Sequence, residues 1–146
     1  MQTNDGKIRV QSAFTLVELM VVVVIIGVMA TVVTISVSDY LVTAKQNVAK
    51  SEIATIKNAL SLYFMQYDRY PSNDEGLAIL KKSTPEHPNG ILTSDLNDPW
   101  NHEYVYVHPG VHGPYDLVSF GADKQEGGIG ADADISSWQL DATAKE

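Results

Sequence analysis

The sequence predicts an α+β fold, with one long N-terminal helix packed on a small antiparallel sheet. Three observations predict it. Phe14–Val37 is about 24 residues of almost wholly apolar chain, broken by one charge, Glu18. Beyond it, Ala49, Ile53, Ile56, Leu60, Tyr63 and Tyr67 recur at spacings of 4, 3, 4, 3 and 4, which is one face of an amphipathic helix. Then the β-prone stretches Tyr104–Val107 and Tyr115–Phe120 flank a turn at Pro109–Pro114.

The 146 residues suffice for one domain. Without the leader and the apolar stretch, about 110 remain, enough for one small core and too few for a two-domain enzyme. The net charge is −8, of which Met1–Ala13 contributes +1, leaving −9 on the rest. An acidic body excludes the basic footprint that nucleic-acid binding needs. There is no Cys, hence no disulfide, thiolate metal site or Cys nucleophile.

Met1–Ala13 is a polar leader containing Lys7 and Arg9. At 1.5 Å per residue, a helix over Phe14–Val37 spans a hydrocarbon core of roughly 30 Å. In an ordinary signal peptide the small-residue cleavage site follows the apolar run. Here the small residue at the junction, Ala13, precedes it, so a cut there leaves the helix on the mature chain. A plain signal anchor with an uncut tail is the alternative. Lys7 and Arg9 before the helix, against Lys45 and Lys50 after it, give a weak vote for the N-terminus inside. Glu18 costs about 2.5–3.5 kcal/mol if buried alone in lipid. It needs a partner, or it snorkels to the surface from near the helix start.

The helix is expected to run from Phe14 to near Asp68, about 55 residues, with Lys45, Lys50, Glu52, Lys57 and Asn58 largely off the apolar face. Thr31–Ser38 is mostly β-branched or Ser and is its weakest stretch, a place for local unwinding. Pro71 ends the helix between Asp68 and Tyr70. Asn73-Asp74 reads as the cap of a short helix through Lys81, Ser83–Thr93 as a loop, and Asp98-Pro99 as a turn. A last short strand is placed at Trp138-Gln139-Leu140.

Phe120–Asp134 carries Asp123, Glu126, Asp132 and Asp134 among four glycines. Read alone, it is either a solvated acidic loop or a wrap of hard oxygen ligands of the kind Ca²⁺ takes. It lacks the spacing of an EF-hand. His87, His102, His108 and His112 show no helical pairing and read as surface residues. No phosphate loop or nucleophile motif is present, so nothing points to an enzyme.

Ala13-Phe14-Thr15-Leu16-Val17-Glu18 resembles the processing motif of type IV pilins and type II secretion pseudopilins. Asp98-Pro99-Trp100, Pro109–Asp116, Ser119–Asp123, and Asp132–Ile135 with Trp138 narrow the resemblance to the major pseudopilins of type II secretion. So do Tyr70-Pro71 and Glu75-Gly76-Leu77. The resemblance implies a type IV pilin-like fold in three parts: a cleaved leader (1–13), a transmembrane and filament-core helix (14–37) and a periplasmic globular domain (38–146). It implies a cut between Ala13 and Phe14 by a prepilin peptidase, N-methylation of Phe14, and Glu18 pairing with a Phe14 amine during assembly. It implies a structural Ca²⁺ on the side chains of Asp123, Asp132 and Asp134 and the carbonyls of Phe120 and Gln125. The family has Gly where this chain has Ala13 and Lys124, and commonly Pro at Ile35.

The function so implied is that of a filament subunit in the bacterial inner membrane. It is a single-pass homo-polymer joined by minor pseudopilins and driven by an assembly platform with a cytoplasmic ATPase. The fibre helps export folded proteins through an outer-membrane secretin. A type IV pilin for adhesion or DNA uptake is one rival; many such pilins close the C-terminal region with a disulfide, which this chain lacks. A membrane-anchored Ca²⁺-binding module that never polymerises is the other.

Overall fold

The computed structural model describes residues 14–143, without the side chains of 32–36 and 143. The leader lies outside the described residues. Helix α1 runs Leu16–Tyr67, 52 residues, continuous through the low-propensity stretch after Thr31. A 3₁₀ helix at Leu77–Lys81 follows, then strands β1 (Val105–Val107) and β2 (Asp116–Ser119). A 3₁₀ turn at Gly130–Asp132, strand β3 (Ile135–Ser136) and helix α2 (Ser137–Thr143) complete the chain. The described residues fall into two units, one ending at Ser38 and the other starting at Asp39.

In the second unit the predicted face of α1 forms one wall of the core. Ala49, Ile53, Ile56 and Leu60 are fully buried and Tyr63 nearly so. They pack with Leu77, Leu80, Leu92, Tyr104, Leu117 and Ile135. Each large aliphatic side chain so buried stabilises the fold by about 1.5–3 kcal/mol. Tyr67, expected on this face, is instead 43% exposed, because the helix ends there and its ring lies against Tyr63. Asp68 follows in the left-handed region (φ 54°), its N–H closing on Phe64 O at 2.8 Å.

The sheet order is β1-β2-β3, antiparallel, with Val105 opposite Val118 and Ser119 opposite Ile135. All four residues of β2 are buried, as befits the central strand. Two expectations are corrected. Trp138-Gln139-Leu140 belongs to α2, and the last strand is the two residues before it. The short helix through Lys81 forms, as a 3₁₀ helix from Leu77, and it is the cap that is corrected: no side chain caps it. Ser72, not Asn73, makes the reciprocal bonds: Ser72 N–H donates to Glu75 and Glu75 N–H to Ser72 Oγ. Asn73 reaches across to His108, accepting from its N–H at 2.7 Å and donating to its carbonyl at 2.8 Å.

Candidate functional site

Two features carry chemistry. The first is the start of α1. Phe14 is outside the helix and 82% exposed; Ala13 lies outside the described residues. Thr15 and Glu18 form a capping box. Thr15 N–H and Thr15 Oγ1–H donate to Glu18 Oε2 at 3.1 and 3.0 Å, and Glu18 N–H donates to Thr15 Oγ1 at 3.2 Å. The expected partner of Glu18 was a Phe14 amine; in this chain, with Phe14 joined to the leader, the partner is Thr15. The Thr-x-x-Glu spacing of a capping box was present in the sequence as the signal for it.

The side chains that follow are uncovered: Leu16, Val17, Leu19, Met20 and every described large apolar residue to Met29 are 45% exposed or more. Among the described residues no helix is long and apolar enough to cross a membrane.

The second feature is the acidic loop after β2. Its entry is fixed by a buried carboxylate, Asp98, which accepts from Trp100 N–H (3.0 Å), His102 N–H (2.9 Å) and Ser119 Oγ–H. Ser119 Oγ in turn accepts from Gly121 N–H, and Gly121 O lies 3.0 Å from His102 Nδ1. The loop then folds on itself. Ala122 N–H donates to Ala131 O at 2.9 Å, Gln125 N–H to Asp123 Oδ1 at 3.1 Å, and Gly127 N–H to Asp134 Oδ2 at 2.8 Å. Gly128 has φ +89°, and a Cβ there would lie 2.5 Å from Asp132 O, so only glycine fits. Lys124 holds φ 59°, which strains a residue with a side chain.

Among the described residues no three acidic or histidine side chains converge into a group that could hold a metal ion. Asp123, Asp132 and Asp134 thus share one loop without meeting at one point. The donor set is still of the kind a hard cation takes. Asp134 Oδ1 is buried with no hydrogen-bond partner, and a buried carboxylate oxygen left so costs stability.

The histidines read as surface residues are partly built in. His112 stacks on Trp138 with ring centroids 3.9 Å apart and planes 9° from parallel, and its Nδ1 is 3.1 Å from Asp116 Oδ2. Asp116 also accepts from Val111 N–H (2.9 Å) and His112 N–H (3.1 Å). Burial would raise this carboxyl's pKa, but these donors outweigh it and hold the group below its ordinary value. The Pro109–Asp116 motif is thereby a turn pinned to β2 and α2.

Comparison with known proteins places this arrangement. Residues 8–34 match the prokaryotic N-terminal methylation motif, so the chain is of the class that carries this motif on a long N-terminal helix. Residues 36–138 match type II secretion system (T2SS), protein G, and the chain belongs to that family. It is 46% identical over 137 residues to type II secretion system core protein G of Pseudomonas aeruginosa, covering 89% of this chain and 96% of the relative. With the protein of the same description from Vibrio cholerae it shares 40% over 140 residues, 92% of this chain and 96% of the relative. The Escherichia coli relative is 37% identical over 142 residues, again 92% and 96%. The fold matches the crystal structure of the major pseudopilin from the type 2 secretion system of enterohaemorrhagic Escherichia coli. That match has a TM-score of 0.55 at 24% identity and covers 66% of this chain and 89% of the other. Membership makes the chain a structural subunit and not an enzyme.

Proposed function

We propose that the mature chain polymerises at the bacterial inner membrane into the pseudopilus of a type II secretion system and helps export folded proteins through an outer-membrane secretin. One observation supports this most. Opposite its core face, α1 carries Leu41, Val48, Thr55 and Leu62 at seven-residue spacing, with Ala44, Ser51, Asn58 and Met65 three residues after each. All but Ala44 are exposed, and none is charged. A helix face meant for water carries charge; an uncharged heptad stripe is a seam for another helix. Cross-linking of the full chain in its native membranes tests the reading: homo-oligomer ladders support it, and monomers alone contradict it.

In this reading Phe14–Val37 anchors the chain as a single span and joins the fibre core, with the unit from Asp39 in the periplasm. Minor pseudopilins, an assembly platform and its cytoplasmic ATPase supply the rest. A prepilin peptidase cuts between Ala13 and Phe14 and methylates the new amine. Intact mass of the protein from its membranes is predicted to correspond to a methylated chain starting at Phe14. A dominant species retaining Met1–Ala13 contradicts the processing step.

The acidic loop is read as a Ca²⁺ site on Asp123, Asp132 and Asp134, with the carbonyls of Phe120 and Gln125. The cation would supply the positive charge that lets three carboxylates lie together. The unpartnered Asp134 Oδ1 supports this.

A further inference from the structure

The acidic loop touches α1 through a side chain that no motif singles out. Gln46 Nε2 donates to Gly130 O at 2.7 Å. That carbonyl also accepts from Ala133 N–H at 3.3 Å and so closes the 3₁₀ turn Gly130–Asp132. Asp132 is the last residue of the turn, and Asp134 stands two residues beyond it. Beside the bond is a cavity of about 290 Å³ lined by Gln46, Lys50, Ala133, Asp134, Ile135 and Leu140. Gly130 itself is exposed, with φ +61°.

We propose that Gln46 is a positioning residue for the acidic loop. By fastening the Gly130 carbonyl it fixes the turn that presents Asp132 and leads to Asp134. It also makes loop order and helix order around residue 46 one cooperative unit. The part of this that concerns a cation rests on the Ca²⁺ reading of the loop; the tie to α1 does not. A single hydrogen bond of this kind changes an equilibrium by about three- to tenfold. Glu at position 46 has the shape of Gln with a carboxylate oxygen where the donor stood, so it breaks the bond without opening space.

The test uses the full chain in detergent micelles. Ca²⁺ affinity is measured by titration calorimetry and amide exchange by mass spectrometry, in EDTA and in Ca²⁺, for wild type, Gln46→Ala and Gln46→Glu. Gln46→Ala is expected to bind Ca²⁺ about three- to tenfold more weakly, and both variants to exchange faster over residues 127–133 in EDTA. In wild type Ca²⁺ slows exchange over residues 42–50 as well as over the loop; in the variants it slows the loop alone. Unchanged affinity and unchanged loop exchange in both variants overturn the inference. So does a loss of melting temperature in EDTA with Ca²⁺ affinity and loop exchange both intact, which is what a merely structural Gln46 gives. If wild type binds no Ca²⁺, the metal reading falls. The EDTA exchange then decides alone: faster loop exchange in the variants upholds the tie, and equal exchange removes it.

Discussion

At the scale of single residues, Glu18 holds two roles that one substitution separates. Its carboxylate completes the capping box with Thr15, and in the proposed filament it pairs with a processed Phe14 amine. Glu18→Ala loses both, inserts normally because the helix becomes more apolar, and is predicted to build no filaments. Glu18→Gln keeps an acceptor for Thr15 but has no charge to meet an ammonium. It is predicted to keep the helix start at Leu16 and still fail to assemble, measured as sheared filament yield against membrane content. Wild-type assembly by Glu18→Gln would show that the cap, not the charge, is what the filament uses. Glu18 was legible in the sequence because a carboxylate in an apolar run demands an explanation. Thr15 stands in the same six residues, but its role as a cap is a local hydrogen bond that the charge of Glu18 overshadows. Gln46 had no signal at all: its partner is a backbone carbonyl 84 residues away.

At the scale of elements, α1 was readable because its apolar period repeats over five turns, and Ala49 to Tyr63 are buried as that period requires. The short elements were not. Trp138 has strand propensity by residue type, but the last strand is only Ile135–Ser136, and helix α2 takes the three residues expected to be strand. Likewise Ser72 and Glu75 close the turn after Pro71, and the Arg69 guanidinium bonds both Glu75 oxygens at 2.6 and 2.8 Å. The Arg69 pair, then the Ser72 N–H, hold the Glu75 carboxyl at about 2, against an ordinary value of 4.5. A depressed folded-state value means stability that is complete above about pH 4.5 and lost as pH falls toward 2. The stability difference between wild type and Glu75→Gln is therefore predicted to be constant above pH 5.5 and to shrink toward pH 2. A difference independent of pH would remove the ion pair from the account. For the acidic loop, Ca²⁺ at a hundredfold excess over Kd is predicted to add about 2.7 kcal/mol, or roughly 10 °C in melting temperature. Mg²⁺ substitutes poorly because it demands a tighter octahedron. Asp132→Ala removes most of the effect and Glu126→Ala does not. Equal melting in EDTA and Ca²⁺ would leave the loop as solvated surface. The sequence showed which residue types the loop holds; it did not show that Asp98 and Ser119 fix the loop's entry, since their meeting depends on the sheet.

At the scale of the molecule, one chain carries an uncovered apolar helix in its first unit and a small, well-buried core in its second. A monomer explains the core but not the uncovered helix. Uncovered apolar surface on this scale calls for lipid or other protein, and the charge-free stripe from Leu41 to Met65 calls for protein. The order of the parts was legible early because leader, apolar run, amphipathic face and strands differ in composition. The stripe was not, because its Thr55, Ser51 and Asn58 are unremarkable until the core face is known. Cross-linking of wild type and Leu62→Asp in native membranes tests the central claim most directly. Leu62 is 48% exposed on the stripe and away from the core, so its replacement leaves the fold and insertion intact. The account predicts a ladder of homo-oligomers from wild type and monomers from Leu62→Asp. Monomers alone from wild type, or the same ladder from both, would contradict it.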